Sequence, residues 1–360
     1  MKAIKFLFIF AIVLVLVAVG GVAAFFAFAD PNDFKEQIIS QVAENTGRQL
    51  TLEGDLEWAF WPKIKIKAGP LALSNAEGFG DEPFLAAQEF QIAVATMPLL
   101  KSQIEMDTVK LYGAEINLAK DEQGNTNWAD LSDGADDDEE RSGGEIATIV
   151  LGGVDIKDAK ITWRDASKGQ DIAVSKLNVG TGALTMGKPI EFTLTASAVA
   201  NQPALDADTK LGGTISYDLD AETYRIEPLA LDILMRGKNL PGGKTDIKTT
   251  AVIDINLDQG TASIQGLDLS GLGTKLTGNI NATDIESERP GANGKIDVSG
   301  EDIAFIFKVL EMPVAAQLAK VKDRKFSFNT AFDANMETGI VSMPTLNAKL
   351  LGATIDGKVN

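Results

Sequence analysis

The stretch closest to a phosphate-handling motif is Gly182-Ala-Leu-Thr-Met-Gly187-Lys188-Pro189. A P-loop needs Ser or Thr after its lysine to hold Mg²⁺, and a helix N-terminus to meet the phosphates. Pro189 stands in that place and the following residues alternate like a strand, so the match is set aside. Asp136-Asp137-Asp138-Glu139-Glu140 offers carboxylates for calcium but lacks EF-hand spacing, and a solvated loop is the simpler account. No G-x-S-x-G nucleophile elbow occurs. With 51 Asp and Glu, acidic pairs turn up at every spacing and carry no information.

The chain of 360 residues contains no His and no Cys. Their absence removes imidazole bases, thiolate nucleophiles, disulfides, and His- or Cys-ligated metals. The expectation is a non-enzymatic protein with no catalytic residue, no metal ligand and no cofactor. Lys and Arg number 33, for a net charge of −18. That balance disfavours nucleic acid, whose binding needs cations to displace counterions, and attraction to anionic headgroups. Any contact with lipid has to be apolar.

Elements that could make such a contact follow from periodicity. Lys2 and Lys5 precede an uncharged run from Phe6 to Ala29 in which 16 positions are Leu, Ile, Val or Phe. At about 1.5 Å per residue it reaches roughly 36 Å as a helix, enough to span a bilayer. The cations set a cytoplasmic tip at 1–5, a transmembrane helix at 6–29 and an exported remainder. Ala27-Phe28-Ala29 before Asp30 is also an A-x-A cleavage pattern, but the apolar run is longer than a signal peptide's.

Past the anchor, Asp30-Pro31 opens a helix whose apolar face is Phe34, Ile38 and Val42, closed by Gly47. The period then becomes two: Leu52, Leu56 and Trp58; Ile64 and Ile66; Phe90, Ile92 and Val94; Val109 and Leu111; Ile116 and Leu118. A first β domain is predicted over 30–131 and an acidic linker over 132–145. Strands resume over 146–360, as in Phe192, Leu194 and Ala196, then Ile215, Tyr217 and Leu219. Ile303, Ile306, Phe307 and Leu310 keep helical spacing, which places a helical insertion near 303–322. Leu267–Asn281 echoes Leu346–Asn360 as strand, Gly corner and strand. The predicted class is mainly β: a transmembrane helix, then an elongated repeating sheet with a few short amphipathic helices.

Alternation gives each strand one apolar face, which a single sheet must cover with something. A lipid would do so in a groove, and a second sheet would do so in a sandwich. Leu52, Leu56, Ile64, Ile66, Phe90, Ile92, Val94, Ile116 and Leu118 are the candidate lipid-contact residues. Trp58, Phe60 and Trp61 form the densest aromatic cluster past the anchor; they suit a membrane interface or a groove mouth, and packing inside a first hairpin is the simpler account.

Asp30-Pro-Asn-Asp-Phe-Lys35, Val42–Leu52, Gly54–Pro62, Leu71–Asn75, Pro98–Leu100 and Gly124-Asn-Thr-Asn127-Trp128 together resemble the N-terminal part of AsmA-family proteins. Gly153–Lys188 and Leu346–Val359 are similar to later parts of that pattern. The resemblance implies a single-pass bacterial inner-membrane protein with a cytoplasmic N-terminus and a periplasmic body. It also implies a curved, apolar-lined β-groove, a role in outer-membrane assembly and lipid homeostasis, and bridge-like phospholipid transport. Implied partners are phospholipid or another envelope lipid, the inner membrane and envelope assembly proteins. Members usually continue well beyond this length, which implies a short member or a piece of a longer chain. A different expectation is a scaffold that binds envelope proteins through open sheet edges and carries no lipid.

Overall fold

The computed structural model describes residues 30–59, 63–95, 104–132, 149–185, 187–238, 240–309, 318, 320–336 and 338–359. The expected membrane span at 6–29, Phe60, Trp61 and nearly all of the acidic linker lie outside them. Among the described residues no helix is long and apolar enough to cross a membrane. The fold is mainly β, with 22 strands and few helices among the described residues. The chain divides into two compact units, Met1–Gln170 and Asp171–Asn360.

In the first unit, Asp30 caps a 3-10 turn, Pro31–Phe34, by accepting the Asn32 N–H at 2.9 Å. Helix α1, Lys35–Thr46, ends at Gly47 in the left-handed region, φ 67°, whose N–H reaches the Ala43 carbonyl. The strands behind it are β1 (Leu50–Leu52), β2 (Glu57–Ala59), β3 (Lys63–Ala68), β4 (Leu71–Leu73), β5 (Leu85–Ala87) and β6 (Glu89–Ala95). They continue with β7 (Ile104–Met106), β8 (Val109–Tyr112), β9 (Glu115–Lys120), helix α2 (Ala129–Ser132), β10 (Ile149–Leu151) and β11 (Val154–Asp165).

β3 pairs with β6, β4 with β5, and β5 with β9, all antiparallel. β11 instead runs parallel to β8 and β9, and β10 parallel to β7. A simple succession of hairpins does not give that pairing. The chain leaving β9 must cross back before β10, and α2 begins the crossing. Strands β3 and β4, β5 and β6, and β8 and β9 follow one another across short breaks at Gly69-Pro70, Gln88 and Gly113-Ala114. A Cβ on Gly54 would sit 1.3 Å from the Gly69 carbonyl oxygen, and one on Gly69 would sit 2.2 Å from that of Gln88. Only glycine lets these backbones approach so closely.

The second unit is an antiparallel meander. It comprises β12 (Gln170–Thr181), β13 (Ile190–Asn201), β14 (Ala204–Asp218), β15 (Thr223–Arg236), β16 (Lys244–Asn256) and β17 (Thr261–Gly271). Then come β18 (Thr274–Thr283), β19 (Gly291–Gly300), helix α3 (Ile303–Val309), β20 (Phe326–Asn335), β21 (Ile340–Leu350) and β22 (Ala353–Val359). Each strand from β13 to β22 pairs with its predecessor. The near-P-loop residues lie in the connection to β13, which starts at Ile190. The internal echo is structural: Leu272-Gly273 and Leu351-Gly352 both make two-residue turns with positive φ at each position, joining β17 to β18 and β21 to β22. Leu219, predicted to continue the β14 alternation, lies past the strand end and is exposed.

Candidate functional site

The second unit carries one apolar row straight across its strands. Directly opposed residues in an antiparallel pair point to the same face. Val179 on β12 opposes Leu194, which opposes Leu211, which opposes Leu231. Thr249 carries the row to Leu269 and Leu276. Val298, Phe328, Ala348 and Ile355 continue it to the last strand. At about 4.8 Å per strand, this row measures roughly 48 Å from β12 to β22.

A second row lies four residues along on the same face. Ile190 opposes Ile215, then Ile226, Ile253, Ile264 and Ile280 follow in turn. Gly294 comes next, and Phe332 opposes it with its ring edge 3.2 Å from where a Cβ would stand. Between the rows the register slips at Ile226/Leu229 in β15, Ile264/Leu267 in β17 and on the β21 side of Ala331/Asp333. Each slip is a bulge that adds one residue to its strand. Without it, the strand's apolar set would point to the other face beyond that point. The bulges therefore hold the two rows on one side.

The opposite face is polar. Rows adjacent to the leucines read Thr195, Lys210, Asp232 and Lys248, and on the other side Asp268, Thr277, Asp297 and Asn329. Arg236 meets Asp208 at 2.7 Å, and Ser197 also donates to Asp208, holding its carboxyl below the usual range, the Ser197 bond first. One crevice on this charged side lies between Lys176, Asp208, Lys210, Asp232, Asp246 and Lys248.

Leu194, Leu211, Leu231, Leu269, Leu276, Val298 and Phe328 are all only half-buried. A second sheet filling a sandwich would bury such central side chains fully. The sheet is open, and its apolar face is accessible.

In the first unit the expected contact residues fall into short ladders. Ile64 opposes Val94, Ile66 opposes Ile92, and Phe90 sits between Ala68 and Leu111. Leu52 opposes Leu71, Ile116 lies between Leu85 and Ile161, and Leu118 opposes Trp163. Leu56 lies between β1 and β2 and is buried, its backbone bonded to the Asn32 side chain. Trp58 opposes Ile66 and packs against Phe34, with ring centroids 6.2 Å apart. Phe34 and Ile38 on the first helical turns are exposed, leaving an apolar patch beside Trp58.

A polar network holds this unit together. Arg48 is only 3 % exposed. Its Nε donates to Asp130 at 2.9 Å and its Nη2 to the Asn127 carbonyl at 2.6 Å, while its guanidinium lies 4.6 Å from the centre of the Phe84 ring. Asn127 is wholly buried; its Oδ1 accepts from Ala119 N–H, and its Nδ2 donates to Asn75 Oδ1 and the Asn117 carbonyl. Trp128 then packs on Trp163, centroids 5.6 Å apart. Arg48, Asn75, Asn127 and Trp128 come from three separate stretches that carry the family resemblance, and they serve one structural joint.

Fold and face define a class: β-strand proteins that present a long, open apolar face backed by a charged one. The chain belongs to the AsmA family, whose model matches residues 1–358. It is also 38 % identical over 106 residues to Protein AsmA of Escherichia coli (strain K12). That match covers 29 % of this chain and 17 % of the relative.

Proposed function

We propose that this protein shelters lipid acyl chains on the apolar face of its second unit, as an inner-membrane-anchored periplasmic protein supporting outer-membrane assembly and envelope lipid homeostasis. The observation that carries the reading is the half-buried row from Leu194 to Phe328, apolar at every strand but the one that places Thr249 in it. Drawing an acyl chain into water costs about 0.8 kcal/mol per CH₂, more than 10 kcal/mol for a sixteen-carbon chain. A strip of leucine and isoleucine replaces the bilayer's hydrocarbon and removes most of that cost, while the headgroup stays in water. The mechanism needs no bond chemistry, and a chain without His or Cys loses nothing by it. Family membership and the apolar run at 6–29 support the setting.

The test is lipid content. Full-length protein purified in mild detergent is expected to carry phospholipid, and Leu231→Asp with Leu276→Asp to lose it while keeping the β circular-dichroism spectrum. Folded variants that retain all their lipid contradict the proposal, and favour a scaffold acting through its sheet edges.

A further inference from the structure

Among the described residues of the first unit, the large apolar side chains left exposed are Phe34, Ile38 and Ile66, at 41 %, 40 % and 43 %. All three gather about one residue. The Phe34 ring packs on Trp58, and Trp58 stands directly opposite Ile66, so these two share a face. Ile38 follows Phe34 by four positions, one helical turn along. On β3 the usual order is inverted: Ile66 is exposed, while Lys65 and Lys67 on either side are half-buried.

Place in the chain indicates what covers this patch. The uncharged run of 6–29 ends at Ala29, and Asp30 caps the 3-10 turn that leads to Phe34. Four residues at about 2 Å each put Phe34 roughly 8 Å along from Asp30. The headgroup layer on one side of a bilayer is about 5–8 Å deep, so the two lengths match. Trp is enriched at that level, and a helix with one apolar face lies in its plane. Asp33, Glu36 and Glu57 flank the patch residues in sequence and are exposed. Anionic headgroups repel such a rim, which keeps the contact apolar and shallow.

We propose that Phe34, Ile38, Trp58 and Ile66 rest in the headgroup region of the membrane that the run at 6–29 spans, laying α1 along its surface. The occupant of the patch is a lipid surface. The contact seats the ladder of Ile66 with Ile92 and Ile64 with Val94 at the bilayer. This docking rests on the anchored setting proposed above, and is independent of whether the second unit carries lipid.

The absence of cysteine makes the test direct, because one introduced thiol takes a single nitrobenzoxadiazole label. Full-length Ile38→Cys and Ser40→Cys, labelled and reconstituted in phosphatidylcholine vesicles, compare two sides of one helix. Both positions are exposed, and two residues turn the helix by about 200°. Phosphatidylcholine carrying a nitroxide near the headgroup end of its acyl chain should quench the Ile38 label about threefold more than the Ser40 label. Ile66→Cys against Lys65→Cys makes the same comparison on β3, should a helix variant fold poorly. Equal quenching within each pair would overturn the docking. So would an Ile38 label shielded from aqueous iodide yet untouched by the lipid nitroxide, which puts protein on the patch. Flotation after an alkaline carbonate wash reads the anchor separately. Protein stripped by the wash, having shown the Ile38 contrast beforehand, removes the anchor and supports the docking.

Discussion

Leu211 on β14 stands directly opposite Leu231 on β15, and neither is fully buried, although both lie on interior strands of the meander. Central leucines in a closed sheet pair would have no contact with solvent. Their partial exposure makes the apolar row a surface, and the polar rows behind it, Lys210 and Asp232 among them, oppose one another in the same register. One side of each strand suits hydrocarbon and the other suits water.

Asn127 should be the most sensitive polar residue of the first unit. Asn127→Ala orphans the Ala119 N–H and the Asn117 carbonyl in a buried site, and each such loss costs about 1–3 kcal/mol. The expected destabilisation is about 2–4 kcal/mol by urea titration, against less than ~0.5 kcal/mol for an exposed change such as Gln259→Ala.

Asp130 should make that unit's stability pH-dependent. The hydrogen bond from Arg48 comes first in holding its carboxyl below the usual carboxylate range. A group with a lowered folded pKa stabilises fully above its unfolded value, about 3.9, and loses that contribution as pH falls through the folded value. The melting-temperature gap between the natural chain and Asp130→Asn should be widest near neutrality and shrink below pH ~4. A constant gap down to pH ~2 would remove the ion pair from the account.

Gly54 tests the close backbone approach in the first unit. Its added Cβ would fall 1.3 Å from the Gly69 oxygen, so Gly54→Ala must push two backbones apart. It should destabilise by more than ~2 kcal/mol, a large single-residue effect. Gly78→Ala, with φ 88° but nothing within 4 Å, should cost only about 1 kcal/mol.

How legible this was in the sequence depended on distance along the chain. Period-two runs such as Phe192, Leu194 and Ala196 became β13 in the expected place, because alternation is local. The isoleucine row was hidden because Pro228, Gly266 and Pro344 sit where the bulges break the alternation, so the apolar positions on either side fall out of phase. The parallel pairing of β11 with β8 and β9 depends on a crossing that no spacing announces. Arg48 and Asp130 are 82 positions apart; resemblance marked the stretch around Arg48, but only the fold shows what it holds. The contact residues expected in the first unit form short ladders, whereas the longest apolar rows belong to the second.

The central claim is tested most directly by placing a photo-reactive amino acid at Leu231 and, separately, at its neighbour Asp232, in cells expressing the full-length chain. The two positions are adjacent in sequence and point to opposite faces of one strand. The account predicts a lipid adduct by mass spectrometry from Leu231 and none from Asp232. Adducts with protein alone at Leu231, or equal lipid labelling at both positions, would contradict it.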